Sequence, residues 1–170
     1  VCDGPFFKNR NIVVVGGGDS ACSEAIYLTS ISDKVSIIHR RDSFRAQKAV
    51  VDKMLAAGVK PIYNSVVESI NGSVKVDSVS IKNVQTGEVS DFPCDAVFIF
   101  TGMVPQTALV EMLPKDEFGY IKTNENMETA MPGLFAAGDV RSKSFRQIVT
   151  AVSDGAIAAN SAKHYIENLG

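Results

Sequence analysis

The chain has 170 residues, with 17 basic and 19 acidic side chains and a net charge of −2. That near-balance excludes bulk electrostatic binding to nucleic acid or to an anionic membrane surface, and no apolar run is long enough to span a bilayer. Three cysteines do not make the disulfide framework of a secreted domain, so a cytoplasmic setting is expected, and no metal site is. The opening Val1-Cys2, without an initiator Met or a secretory pattern, points to a processed or cut start.

Residues 12–15 form an unbroken β-branched run, the pattern of a central parallel strand covered on both faces. The run enters Gly16-Gly17-Gly18-Asp19-Ser20-Ala21, after which Ala21, Ala25, Ile26 and Leu28 recur at helical spacing. Such a strand–turn–helix presents free backbone N–H groups and a positive helix terminus to a pyrophosphate. Gly16 makes the tight turn, Gly18 admits the pyrophosphate, and Ala21 lets helix and strand approach. A unit of the same shape without ligand, or with another nucleotide, is the alternative. Asp19 is unusual here, because its carboxylate suits the helix dipole but repels phosphate. It therefore either costs affinity or points outward.

A second β-rich run, 34–38, ends at His39-Arg40-Arg41, with Phe44-Arg45 just beyond. An Asp or Glu near this point would hold the free 2′-hydroxyl of NADH. Arginines suit a 2′-phosphate dianion instead, because the guanidinium fork matches phosphate oxygens. The expected ligand is NADPH, with Arg40, Arg41 and Arg45 converging from a strand end and the first turn of the next helix. A solvated basic patch is the alternative. Asp42 is read as pairing with an arginine or capping that helix. His39 is read as stacking on or hydrogen-bonding the adenosine end, or as structural.

Residues 46–57 read as a helix closed by Gly58. Short strands are predicted at 60–63, 66–70, 74–84 and 88–92, with hairpin turns at Asn71-Gly72 and Thr86-Gly87. They form an antiparallel β-meander, and 96–100 returns as a buried strand ending at Thr101-Gly102. The fold class expected is α/β: a Rossmann-like three-layer domain, with helices on one face of a parallel sheet and the meander on the other. Cys22 and Cys94 are expected to be buried thiols. Pro105, Pro114 and Pro132 break up the remaining segment, so a boundary is placed at Gly102, giving domains 1–102 and 103–170.

In the second domain, Leu134-Phe-Ala-Ala-Gly138-Asp139-Val140 reads as a short apolar strand delivering a carboxylate to a strand's C-terminal edge. There Asp139 accepts hydrogen bonds from sugar or ribityl hydroxyls. Arg146-Gln147-Ile148 opens a helix rich in small residues, which allow close approach of a cofactor or another helix. Taken alone, Gly-Asp is a frequent turn and the alanines are ordinary helix formers. His164 is placed on a solvated helix face.

These motifs, in this order and over nearly the whole chain, resemble low-molecular-weight (bacterial-type) thioredoxin reductase. Cys2-Asp3-Gly4-Pro5 resembles the end of that family's Cys-x-x-Cys-Asp-Gly motif, and His39-Arg40-Arg41 with Phe44-Arg45-Ala46 resembles its 2′-phosphate site. Thr101-Gly102 through Thr107 resembles the segment leading from the NADPH domain to the FAD domain. Phe135 to Val140 and Arg146-Gln147 resemble the flavin-contacting stretch. The resemblance implies a flavoprotein disulfide reductase using NADPH and FAD, with thioredoxin or a similar disulfide protein as partner and a homodimer as assembly. Cys2 would be the flavin-proximal sulfur, Asp3 the acid that manages the exchange proton, and the neighbourhood of Gly102 a hinge for domain rotation. Gly16, Gly17, Gly18, Asp19, Ser20, His39, Arg40, Arg41 and Arg45 would hold NADPH. Gly102, Gly138, Asp139, Arg146, Gln147 and Ile148 would complete the cofactor sites.

Family members also carry an N-terminal FAD-binding half with a second glycine fingerprint, and no counterpart precedes Cys2. The resemblance therefore implies a fragment, the NADPH domain joined to the C-terminal part of the FAD domain, with no turnover by itself. Three rival readings stand against it. The alkyl hydroperoxide reductase flavoprotein subunit is disfavoured by the arginines, because it uses NADH. Thioredoxin-reductase-like ferredoxin–NADP reductases lack the redox cysteines, which Cys2-Asp3-Gly4 argues against. The third is a pyridine-nucleotide-binding module without catalysis.

Overall fold

Successive residues of a strand face opposite ways, and β1 (Ile12–Gly16) uses that alternation to bury both of its faces. In a computed structural model, which describes residues 3–169, the chain divides into two compact units, Val1–Gly102 and Met103–Gly170. In the first, β1 pairs in parallel with β2 (Val35–Ile38) and with β7 (Ala96–Phe100), and β2 pairs in parallel with β3 (Lys60–Ile62). The sheet order is β3-β2-β1-β7.

Ile12, Val14, Val35 and Ile37 face one layer, where they meet Ala21, Cys22, Ala25 and Leu28 of α1 (Asp19–Thr29) and Met54 of α2 (Lys48–Ala56). Val13 and Ile38 face the other, against Val79 and Ile81 of an antiparallel sheet in the order β4-β5-β6. Its strands are β4 (Ser65–Gly72), β5 (Val76–Asn83) and β6 (Val89–Pro93). The three-layer α/β arrangement is thus present, and Cys22 and Cys94 are both buried free thiols. Burial pushes both thiols above their ordinary pKa.

Four local expectations change. The strand expected at 60–63 does not join the meander: β3 pairs in parallel with β2 at the edge of the first sheet. Asn71-Gly72 does not turn the hairpin: both belong to β4, paired with Ser78 and Val76. The Asn71 amide donates to the Ser78 and Ser80 hydroxyls at 3.3 and 2.9 Å, which holds it in the ladder. Residues 73–75 make the reversal instead. The helix expected from 46 begins at Lys48: its N-cap, Gln47, has ψ 139°, outside the helical range, and Arg45, Ala46 and Gln47 are tied through their N–H groups to the glycine turn and Asp19. Leu134 to Ala137 form no strand. They close a tight loop through Thr129 N–H to Leu134 O at 3.1 Å and Ala136 N–H to Met127 O at 3.0 Å.

The second unit gathers Leu113, Ile121 and Ala136 into a small core and ends in α3 (Ile148–Glu167). A capping box starts α3: the Gln147 N–H donates to Thr150 Oγ1 at 3.1 Å while the Gln147 side chain serves the N3 backbone. Among the described residues no helix is long and apolar enough to cross a membrane.

Candidate functional site: a glycine turn clasped to an arginine loop

The register Val15↔Ile38 brings the ends of β1 and β2 side by side, so Gly16, the last residue of β1, and His39, the first residue after β2, are neighbours. Gly16 has φ +155°, and a methyl group there would lie 2.6 Å from the Phe100 carbonyl oxygen and 2.7 Å from Ala21 Cβ. Close packing of turn, helix and neighbouring strand accounts for both the glycine and the alanine. Gly17 lies over the His39 ring: a methyl group would sit 2.1 Å from its Cε1. Gly18 is the N-cap of α1 and provides no side-chain cap, leaving the helix's leading end open to an anion.

The arginine loop is fastened to this turn. Arg45 and Ala46 donate their N–H groups to the Gly17 carbonyl at 2.8 and 3.1 Å. The next N–H, that of Gln47, donates to Asp19 Oδ1 at 2.8 Å. At the loop's other end, Asn64 N–H donates to the Arg41 carbonyl at 3.1 Å. Beneath it His39 stacks on Phe44 at 5.4 Å, and Phe44 meets Tyr63 at 5.1 Å. Burial depresses the His39 pKa against hydrogen bonds to the Ser43 and Gly16 backbone that raise it, and Arg41 and Arg40 add to the depression. Among the described residues its buried Nε2 has no hydrogen-bond partner.

Arg40, Arg41 and Arg45 are all exposed, and none has a carboxylate partner among the described residues. The expectations for Asp42 therefore fail. Among the described residues it accepts only the Ser43 hydroxyl, at 3.1 Å, and the N-cap of α2 is Gln47. Arg45 stands in the loop rather than in a helical turn, and its Nη2 would be 3.4 Å from a methyl group at Gly18. The Asp19 carboxylate does not simply point outward: it is engaged across the loop by the Gln47 N–H.

Gly138 and Asp139 open a 3-10 turn, Gly138–Val140, instead of ending a strand. The Gly138 N–H donates to Asp154 Oδ2 at 3.0 Å. Arg146 donates from Nε to the Asp139 carbonyl at 3.3 Å, and its guanidinium carbon lies 3.7 Å from the centre of the Tyr120 ring. Tyr120 and Asp139 line a cleft of about 240 Å³ together with Met103, Val104, Pro105 and Gln106. Gln147 and Ile148, at the start of α3, are exposed. Gly102 ends the first unit with φ +106° and open space around it. Asp3 is exposed, and Cys2 lies outside the described residues. Asp3 precedes a segment pinned at the strands' opposite edge, where Asn9 N–H donates to Ile31 O and Ser32 Oγ to Arg10 O. The first unit therefore does not bring Asp3 to the glycine turn.

The family model for pyridine nucleotide-disulphide oxidoreductases matches residues 2–155. The chain belongs to that family. It is 52% identical over 169 residues to a thioredoxin reductase of Treponema pallidum, covering 99% of this chain and 55% of that protein. It is 50% identical over 174 residues to one of Bacillus subtilis, covering 99% and 54%. A crystal structure of thioredoxin reductase from Streptococcus pyogenes superposes with a TM-score of 0.85 at 50% identity, over 98% of this chain and 55% of that one. The chain thus spans about half the length of the relatives it matches.

Sequence reasoning missed the centre of the second unit. Asp154 is 7% exposed and receives the Gly138 N–H, Lys143 Nζ at 2.9 Å and Arg141 Nη1 at 2.8 Å. Burial raises its pKa, but the Lys143, Arg141 and Gly138 hydrogen bonds outweigh that and hold it below the ordinary carboxylate value. A signal was available: Asp154 is a lone acid between small residues on a helix, a dozen positions beyond a basic pair. The Tyr120 platform under Arg146 gave no signal.

Both buried features have consequences for stability. A Gly17→Ala chain must displace the His39 ring and is expected to lose about 1–3 kcal/mol, the range for overpacking, in urea unfolding. Asp154→Ala, which strands two nearly buried cations, should cost about 3 kcal/mol. With a depressed folded pKa, Asp154 contributes fully above its unfolded value of about 3.9 and loses that contribution as pH falls through the folded value. The acid side of a melting-temperature profile is therefore expected to flatten in Asp154→Asn.

Proposed function

We propose that the chain is the NADPH-binding unit, with part of the flavin-binding unit, of a thioredoxin–disulfide reductase. The observation that carries this reading is the clasp between glycine turn and arginine loop. It sets Arg45 beside the N-terminus of α1 and ties to the same turn the loop that carries Arg40 and Arg41, none of the three with a carboxylate partner among the described residues. The cradle fits a dinucleotide. Gly16, Gly17 and Gly18 leave the backbone bare where a pyrophosphate approaches, and Asp19 and Ser20 offer it the first N–H groups of α1. Arg40, Arg41 and Arg45 bind the 2′-phosphate, and His39 supports the turn from below. The relatives' name, thioredoxin reductase, supports the choice within the family.

For the flavin the fit rests on the Gly138–Val140 turn. Gly138 brings the backbone close, the half-exposed Asp139 carboxylate accepts hydroxyl groups, and Arg146, Gln147 and Ile148 line the approach at the start of α3. When bound, NADPH supplies a hydride whose two electrons pass by way of FAD to a Cys-x-x-Cys disulfide and on to thioredoxin. In that relay Cys2 is the flavin-proximal sulfur and Asp3 holds the proton exchanged with it. Gly102 is the pivot between an NADPH domain, 1–102, and a flavin-domain segment, 103–170. A homodimer in the cytoplasm completes the reading.

The arginines decide it. Replacing Arg40 and Arg41 together by Ala is expected to weaken NADP+ binding at least about ten-fold while NAD+ binding changes less than about two-fold, since each charged phosphate hydrogen bond contributes ~1.5 kcal/mol or more. Calorimetric titration with both nucleotides reads this, and an unchanged ratio would remove the 2′-phosphate assignment.

A further inference from the structure

We propose that the Asp19 carboxylate is a positioning group for nucleotide selectivity: it sets the arginine loop for the 2′-phosphate without itself touching the nucleotide, which meets only the Asp19 backbone N–H. This rests on the 2′-phosphate reading of the arginines and names a residue outside them that governs it.

Three consecutive N–H groups, those of Arg45, Ala46 and Gln47, are turned back onto the glycine turn. Two end on the Gly17 carbonyl, which no substitution can remove. The third ends on Asp19 Oδ1 at 2.8 Å and is the side-chain strut of the clasp. A carboxylate receiving a main-chain N–H makes one of the stronger hydrogen bonds available at a surface. Its place is also favourable to both helices. Asp19 is the first residue of α1 and holds the N–H of Gln47, the N-cap of α2, so one negative charge serves two helix N-termini.

Gln47 takes the extended conformation, φ −56° and ψ 139°, and contributes no capping bond of its own. Without Asp19 its N–H has no fixed acceptor, and α2 is free to begin earlier, as the helix-forming character of Ala46 favours. Winding Ala46 and Gln47 into the helix would draw Arg45 from its place beside Gly18. The arginine loop would then lose one of the three ties that fix it at that end.

The charge itself complicates a simple deletion. A carboxylate at this point repels the pyrophosphate, which NADP+ and NAD+ share, and removing it raises affinity for both. Comparing two uncharged variants cancels that effect, because Asp19→Asn keeps an acceptor for Gln47 and Asp19→Ala does not. The ratio of NAD+ to NADP+ dissociation constants then isolates the strut.

The experiment is calorimetric titration of the 170-residue chain and its variants with NADP+ and with NAD+. Asp19→Asn is expected to keep the parental ratio within about two-fold, while Asp19→Ala lowers it about five-fold, the size of one hydrogen bond's net contribution. A merely structural role would weaken both nucleotides alike in Asp19→Ala and leave the ratio untouched. Equal ratios in the two variants overturn the proposal. The Arg40→Ala, Arg41→Ala chain measured beside them separates the two failures. If its ratio is parental, the 2′-phosphate reading has failed. If its ratio falls while the Asp19 variants agree, only the strut has failed. Should Asp19→Ala not fold, Asp19→Ser, with a shorter acceptor, is expected to fall between Asn and the arginine variant, and a ratio equal to that of Asn overturns the proposal.

Discussion

The carbonyl of Gly17 organises the first unit. It accepts two N–H groups from the arginine loop, and the residue that presents it must lack a side chain because the His39 ring occupies that space. The glycine therefore serves two needs at once, close approach of a ring from below and attachment of a loop from the side. Remove either and the arginines have no fixed relation to the helix end they accompany. Surface arginines ordinarily keep their heads in water and their conformations free. Here the backbone that carries them is tied by hydrogen bonds, so less entropy would be lost on holding an anion.

The second unit is arranged on the same principle with opposite charge. A buried carboxylate, Asp154, takes the Gly138 N–H and is neutralised by Arg141 and Lys143. Burying three charges together is costly, and such a cluster persists where geometry rather than stability is gained. The geometry gained is a left-handed glycine with φ +79° at the head of a 3-10 turn, with Asp139 next to it. In both units a glycine is held by a polar partner remote in sequence, and the side chain of interest follows one or two positions later or lies across the tie.

Much of this was legible in the chain. The β-branched run at Ile12, the small residues of α1 and the alternating strands after Gly58 fixed the layers, because burial on two faces, on one stripe and on one face leaves different sequence patterns. The glycine turn and the arginine loop were visible as types and spacing. The ties between them were not: no pattern announces that Gln47 will donate to Asp19, twenty-eight positions away. For the same reason the helix start was misplaced, since local propensity favours Ala46 and a tertiary hydrogen bond overrides it. Asn71-Gly72 misled in a related way. Its turn chemistry is sound, but the Ser78 and Ser80 hydroxyls hold Asn71 in the strand.

The most direct measurement is calorimetric titration of the unmodified chain with NADP+ and with NAD+ in one low-salt buffer. A clasped arginine loop predicts NADP+ binding at least about ten-fold tighter, a difference of ~1.4 kcal/mol from the 2′-phosphate alone. Equal affinity for the two, or no binding of either, would contradict a 2′-phosphate site at this turn.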